Sequence, residues 1–190
     1  MDPILIVFDT HHGQSARIAR RIEERIRARG LAVDLEQTPG HRPLSIEDTS
    51  AVIVVAPVYN RRHTDSIEWF VSHHARDLSM RPTTFISVSI GAASRLRVVK
   101  RGIRRIATQL FHKSGWHPSR DVYVGGSIDY PIYEPAICRW MQAAAFLFGL
   151  PTDTSRRHEL TSWSEVDEAT DALLLELEET TDLDASSCCA

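Results

Sequence analysis

Cysteine is almost absent from this chain. Its three copies, Cys138, Cys188 and Cys189, show neither the paired spacing of a zinc site nor the even set of a disulfide framework. The core must therefore rest on apolar packing, and such thiol usage fits a reducing cytoplasm. Long apolar runs are missing as well, so no segment reaches the length of a membrane span. No basic n-region or cleavage site opens the chain at Met1-Asp2-Pro3, and no secretory signal is expected. Positive charge is not in excess: 22 Lys and Arg face 25 Asp and Glu, a formal net charge of -3, which argues against nucleic acid as a partner. Two nucleotide signatures are absent, Gly-x-x-x-x-Gly-Lys-Ser/Thr and Gly-x-Gly-x-x-Gly, which removes nucleotide triphosphatases and dinucleotide enzymes from consideration. The closing Cys188-Cys189-Ala190 is not a prenylation box, because Ser187 stands where that box needs cysteine.

What is present is the pattern of an α/β protein. At 190 residues and 43% hydrophobic content the chain can fill the core of one domain, expected over residues 1–180, with a disordered tail over 181–190. Four continuous apolar runs, at 4–8, 51–58, 83–90 and 121–124, suit parallel strands covered on both faces. Helical stripes lie between them: Ile18, Ile22 and Ile26, then Ile67, Phe70, Val71, His74 and Leu78, then Val99, Ile103, Ile106, Leu110 and Phe111. One strand differs, since Leu31, Val33 and Leu35 alternate with Ala32, Asp34 and Glu36 as at a sheet edge. An edge in second place selects the strand order 2-1-3-4-5, whose switch point opens a crevice over the loops after strands one, three and four. The fold expected is a flavodoxin-like three-layer sandwich on a five-stranded parallel sheet. An insertion at about 127–157 splits its last strand, and a final amphipathic helix starts near Ser164.

The segment Asp9-Thr10-His11-His12-Gly13-Gln14-Ser15 sits where the first strand turns into the first helix. A helix N-terminus opened by small and hydroxyl residues leaves backbone N–H groups aimed at one spot, where the dipole favours an anion. With both longer nucleotide motifs absent, a mononucleotide such as FMN remains. Asp9 complicates the loop, because a carboxylate beside a phosphate repels it unless it turns away, is paired or is protonated. A charged His11 or His12 is expected to compensate. The adjacent His73 and His74 cannot face one metal ion from a helix, and no metal site is expected.

At this point the chain resembles the flavodoxin superfamily, and within it the bacterial menaquinone-dependent protoporphyrinogen oxidases. The resemblance rests on residues 6–15 (Ile6-Val7-Phe8-Asp9-Thr10-His11-His12-Gly13-Gln14-Ser15), on Val58-Tyr59-Asn60-Arg61-Arg62-His63 and on Phe70-Val71-Ser72-His73-His74-Ala75. It continues in Phe85-Ile86-Ser87-Val88-Ser89, Gly115-Trp116-His117-Pro118 and Tyr130-Pro131-Ile132-Tyr133, and includes the insertion. It implies an FMN-dependent, quinone-linked protoporphyrinogen dehydrogenase of heme biosynthesis, with a reduced tetrapyrrole as substrate and a quinone as acceptor. A flavodoxin-like electron-transfer protein, or a flavodoxin fold that has lost FMN, is the alternative. Carried over by position, Thr10, His11, His12, Gly13, Gln14 and Ser15 hold the phosphate. Val58, Tyr59 and Asn60 flank one side of the flavin ring, and Ser89, Ile90, Gly91 and Ala92 the other. No catalytic acid or base is assigned; Asp129, Tyr130 and Tyr133 are candidates to border the substrate. Asp9 stands where the family usually has Ser or Gly.

Two surface features go with the resemblance. Arg95, Arg97, Lys100, Arg101, Arg104, Arg105 and Lys113 concentrate charge on and beside one helix, 95–113. The apolar stretch 135–150 carries Ile137, Trp140, Met141, Phe146, Leu147 and Phe148 around more than one stripe. Either it packs into its own fold or a homo-oligomer interface, or it meets a membrane surface with the basic helix beside it. The expected location is cytoplasmic, with peripheral contact on the inner face of the cell membrane.

Overall fold

The computed structural model describes residues 2–38 and 46–187. The apolar runs form β1 (Ile4–Phe8), β3 (Ala51–Tyr59), β5 (Thr83–Ser89) and β6 (Arg120–Gly125), and the alternating one forms β2 (Val33–Gln37). These five run parallel in the order β2-β1-β3-β5-β6, which is the expected 2-1-3-4-5 once the two-residue β4 (Arg62–His63) is set aside. β4 folds back antiparallel on β3, pairing Val58 with His63 and Tyr59 with Arg62.

Period-two alternation in the buried strands sends side chains to both faces. Ile4, Ile6, Phe8, Ile53 and Val55 meet α1 (Gln14–Ala28) and α6 (Trp163–Ser187), while Leu5, Val7, Val52, Val54 and Phe85 meet α2 (Asp65–His73) and α4 (Arg97–Ser114). Ile18, Ile22 and Ile26 are fully buried, as their spacing requires. The helix expected across 67–78 breaks at His74 and resumes as α3 (Ala75–Leu78).

On the outer layer a ladder fastens α6 to α1. Arg21 lies 2.7 Å from Asp167, Arg25 2.5 Å from Asp171 and Arg29 3.2 Å from Asp171. The guanidinium groups hold both carboxyls below their ordinary range, Asp167 mainly through its hydrogen bond from Arg21 and Asp171 through that from Arg25.

The insertion departs from expectation in one respect. After β6 the chain enters β7 (Ser127–Asp129), a single turn at 130–132 and α5 (Pro135–Leu147), then returns as β8 (Arg157–Glu159). β8 does not resume the parallel sheet: it pairs antiparallel with β7, Ile128 opposite His158. The returning chain runs against β7, so an antiparallel ribbon is the pairing open to it. Ile128, Tyr130, Ala145 and Leu150 give this unit a small core of its own. At the C-terminus α6 continues to Ser187, through 181–187 where a tail was expected; residues 188–190, with Cys188 and Cys189, lie outside the described residues.

Candidate functional site

Neighbouring parallel strands end at the same edge of the sheet, so the loops after β1, β3 and β5 stand side by side. Gly13 opens α1 at φ 78, a left-handed conformation that glycine adopts without strain. Its N–H donates to Thr10 Oγ1 at 2.9 Å, which closes the loop on itself. The first backbone bond of the helix runs from the Arg17 N–H to the Gly13 carbonyl. The N–H groups of Gln14, Ser15 and Ala16 consequently have no acceptor among the described residues. Three donors and the positive end of a 15-residue helix thus converge on one point.

Asp9 does not face that point. Its carboxylate is buried, with one oxygen accepting the Thr10 N–H at 2.7 Å and the other the Ser66 hydroxyl at 2.5 Å. Ser66, in the first turn of α2, has its oxygen 3.1 Å from Thr64 Oγ1, close enough to accept that hydroxyl. The expected repulsion is relieved by turning the carboxylate toward α2, and no histidine pairs with it among the described residues. His11 and His12 instead pack on Tyr59. The His11 ring stacks at 4.6 Å and 8°, the His12 ring meets it edge-on at 5.8 Å, and the His11 N–H donates to the Tyr59 hydroxyl at 3.4 Å. Burial pushes the Tyr59 hydroxyl above its ordinary pKa, so the phenol stays neutral.

Gln14 has its side chain engaged away from the loop. Its side chain points to the returning arm of the insertion, donating to Glu159 at 2.5 Å and Thr161 at 2.8 Å and accepting from Arg157 at 2.8 Å. Only its backbone is left for a ligand at the loop. Arg17 closes the network on Glu159 at 2.6 Å.

Val58 and Tyr59 end β3, half-buried, and Asn60 follows at the exposed tip of the hairpin. Asn60 and Arg61 both have positive φ, 48° and 63°, as a two-residue hairpin of the primed type requires. Asparagine tolerates this and arginine rarely does, so the turn holds strain at the rim of the crevice. On the far side the Ser89 hydroxyl accepts the Ala92 N–H at 3.2 Å and fixes the turn Ile90–Ala93. Gly91 lies against α4, where an added Cβ would meet Ile103 at 3.1 Å. Tyr130 does not border the crevice, because it is buried with its hydroxyl donating to the Pro151 carbonyl at 2.8 Å. Tyr133, half-buried, is raised in pKa by burial and then by Asp129, and lies close enough to Tyr59 to influence its titration.

The structure therefore joins the first two loops by direct contact and anchors the third on α4. Sequence reasoning missed the Asp9–Ser66 bond, the strained hairpin and the Gln14–Glu159 network. Each joins residues far apart in the chain or depends on a backbone angle, and only Asn60, a residue common at positive φ, gave a local signal. Among the described residues no group of three His, Cys, Asp or Glu side chains could hold a metal ion.

A model of the flavodoxin domain family matches residues 5–153. Protoporphyrinogen IX dehydrogenase (quinone) of Escherichia coli strain K12 is 25% identical over 167 residues, covering 85% of this chain and 89% of its own. The flavodoxin of Streptococcus pneumonia TIGR4 superposes with a TM-score of 0.53 at 14% identity, over 93% of this chain and 98% of that one. The Fusobacterium nucleatum flavodoxin variant K13G, solved with flavin mononucleotide, superposes at 0.50 and 12%, over 95% and 97%.

Proposed function

The chain belongs to the flavodoxin domain family, and from that premise we propose that it binds FMN and oxidises protoporphyrinogen IX to protoporphyrin IX, passing the electrons to a quinone. The observation that carries the cofactor half is the set of unclaimed N–H groups on Gln14, Ser15 and Ala16, with the nearby Asp9 carboxylate already engaged by Thr10 and Ser66. The residues present fit a phosphate. Thr10, His11, His12, Gly13, Gln14 and Ser15 hold it, Gln14 through its backbone. Val58, Tyr59 and Asn60 flank the ring on one side, and Ser89, Ile90, Gly91 and Ala92 on the other. FMN, when bound, supplies the electron transfer between the tetrapyrrole and the quinone. The chain's own residues position and shield: Tyr59 offers a neutral aromatic face, and the Ser89 hydroxyl keeps the 90–93 turn in place.

The substrate half is supported by the likeness to the E. coli dehydrogenase and by the insertion. α5 leaves Trp140 68%, Phe146 76% and Leu147 68% exposed, although residues of this kind are normally buried. The Ser94 hydroxyl donates to the Phe148 carbonyl at 2.8 Å, which sets the end of α5 against the basic start of α4 with Arg95, Arg97, Lys100 and Arg101. Apolar side chains rimmed by cations suit an anionic lipid surface, where a quinone is met. No helix among the described residues is long and apolar enough to cross a membrane.

Visible absorbance of the purified protein tests the cofactor: a flavin spectrum is expected, and a colourless protein that takes up no added FMN refutes the reading. Anaerobic turnover of protoporphyrinogen with a menaquinone analogue tests the reaction; a flavoprotein without turnover belongs instead with electron carriers. Trp140→Asp is expected to abolish binding to vesicles of anionic phospholipid, and unchanged binding removes the membrane contact.

A further inference from the structure

The hairpin that brings Tyr59 and Asn60 to the rim turns its other side toward α2 and α4, and there it lines a cavity of about 190 Å³. Three cations, Arg61, Arg62 and Lys113, stand in its wall against a single carboxylate, Glu68. Two of these cations are already matched. Lys113 Nζ lies 2.7 Å from Glu68, and Arg62 lies 3.0 Å from Asp65 in the first turn of α2. Arg61 has no carboxylate partner among the described residues. The positive φ of Asn60 and Arg61 fixes the direction in which the Arg61 Cα–Cβ bond leaves the backbone, and its side chain lines the wall.

The rest of the lining narrows the ligand. Ile106 and Leu110 make one side apolar, and the Gln109 amide adds a neutral donor. The buried His63 imidazole shows the Pro57 carbonyl its Nδ1, at 3.2 Å. A metal cation is disfavoured by the excess of positive charge. A doubly charged phosphate would meet Glu68 at close quarters and find no use for the apolar side. A carboxylate on a short aliphatic arm matches both halves, since the guanidinium fork pairs with two oxygens and the methylenes lie against Leu110.

We propose that the cavity between the β3–β4 hairpin, α2 and α4 is a binding site for an aliphatic carboxylate, separate from the phosphate cradle. In the functional reading above that carboxylate is an acid arm of the tetrapyrrole, and to that extent the inference rests on it; a free small carboxylic acid is the other source of the same chemistry.

The test is a titration of the full chain with butyrate, followed by NMR at the Arg61 Nε–H and the Gln109 side-chain amide. Saturable shifts at both are expected, weakened at least tenfold by Arg61→Gln. Lys113→Gln is a second variant, away from the strained turn, expected to weaken binding several-fold, with unfolding midpoints confirming that both variants fold. Absence of saturable shifts, or shifts unaffected by either substitution, overturns the site. Binding of protoporphyrin IX and of its dimethyl ester then separates the sources. Preference for the diacid that disappears in Arg61→Gln assigns the cavity to a substrate arm, and equal affinity for the two assigns it to a free acid. Butyrate binding in a protein that does not turn over protoporphyrinogen leaves the site standing and refutes the functional reading alone.

Discussion

Replacing Asp9 separates the two roles a carboxylate next to a phosphate loop can have. Its oxygens accept from the Thr10 N–H at 2.7 Å and the Ser66 hydroxyl at 2.5 Å, both in a buried setting. Hydrogen bonds to a charged acceptor contribute about 1.5–3 kcal/mol each. Ser66 keeps Thr64 Oγ1 when Asp9 is removed, so Asp9→Ala strands the Thr10 N–H alone and should cost about 2–4 kcal/mol in all. Asp9→Asn keeps one carbonyl oxygen for Thr10 and turns its amide to the Ser66 hydroxyl, which can rotate to accept, and the cost falls to about 1 kcal/mol. Urea unfolding of the flavin-free protein reads this difference. With a slope of about 2 kcal/mol per molar, the midpoint should drop by about 1 M or more for Ala and about 0.5 M for Asn. FMN affinity should move the other way for Asn, staying equal or tightening, because a negative charge near the phosphate is removed while the loop stays latched. Equal destabilisation by the two variants, or a tenfold loss of FMN affinity in Asp9→Asn, would refute the assignment of Asp9 as a latch turned away from the anion.

Three further outcomes follow from particular contacts. Burial holds His63 neutral with a pKa of about 4 against an ordinary value near 6.5. The unfolded chain therefore binds the extra proton first, and stability falls as pH drops from about 6.5 to about 4, by about 3 kcal/mol in total. Unfolding midpoints measured across that window should flatten in His63→Leu, and an unchanged slope would remove His63 as the cause. Gly125 has no room for a side chain, since a Cβ there would clash with the Leu160 carbonyl oxygen, whereas at Gly126 the nearest atom is 3.8 Å away. Gly125→Ala should cost about 1–3 kcal/mol and Gly126→Ala less than about 0.5, as melting temperatures would show. Gln14→Leu removes the amide that joins the phosphate loop to β8, and a double-mutant cycle with Glu159→Ala should return a coupling of about 1–2 kcal/mol. Additive effects in that cycle would dissolve the proposed link.

The sheet was legible because its rules are local and repeated. Unbroken apolar runs marked the buried parallel strands, and the alternation of Val33 and Leu35 with Asp34 and Glu36 marked the edge, so the strand order followed. The Ile18, Ile22 and Ile26 stripe gave α1 its inner face. The three crevice loops were placed because they follow from topology. What the sequence could not reveal depends on partners distant in the chain. Asp9 reads as a liability until Ser66 is beside it, 57 residues away. Nothing near Gln14 in the chain shows that Glu159 and Thr161 hold its side-chain amide. Nothing local in α1 shows that Arg21, Arg25 and Arg29 carry the contact with α6, because their partners Asp167 and Asp171 lie about 140 residues on. β8 was found in roughly the right place but with the wrong partner, because three residues carry no information about which strand they will pair with.

The arrangement of rigid and exposed parts bears on why the insertion looks as it does. Its base is well tied: the Tyr130 hydroxyl holds Pro151, Gln142 holds the Thr152 carbonyl at 2.9 Å, and the Leu160 N–H holds the Gly126 carbonyl at 3.0 Å. Through Glu159 the same base grips Gln14 at the first turn of α1. Along α5, Ala145 is buried and Cys138 and Met141 pack beside it on the small core, while Ile137, Trp140, Phe146 and Leu147 face outward. An apolar face on a firmly anchored support gains nothing for folding and costs solubility. Packing therefore does not account for it. The proposed membrane contact would account for it, because the hydrogen bonds of the base tie α5 to the first turn of α1 while leaving this apolar face free.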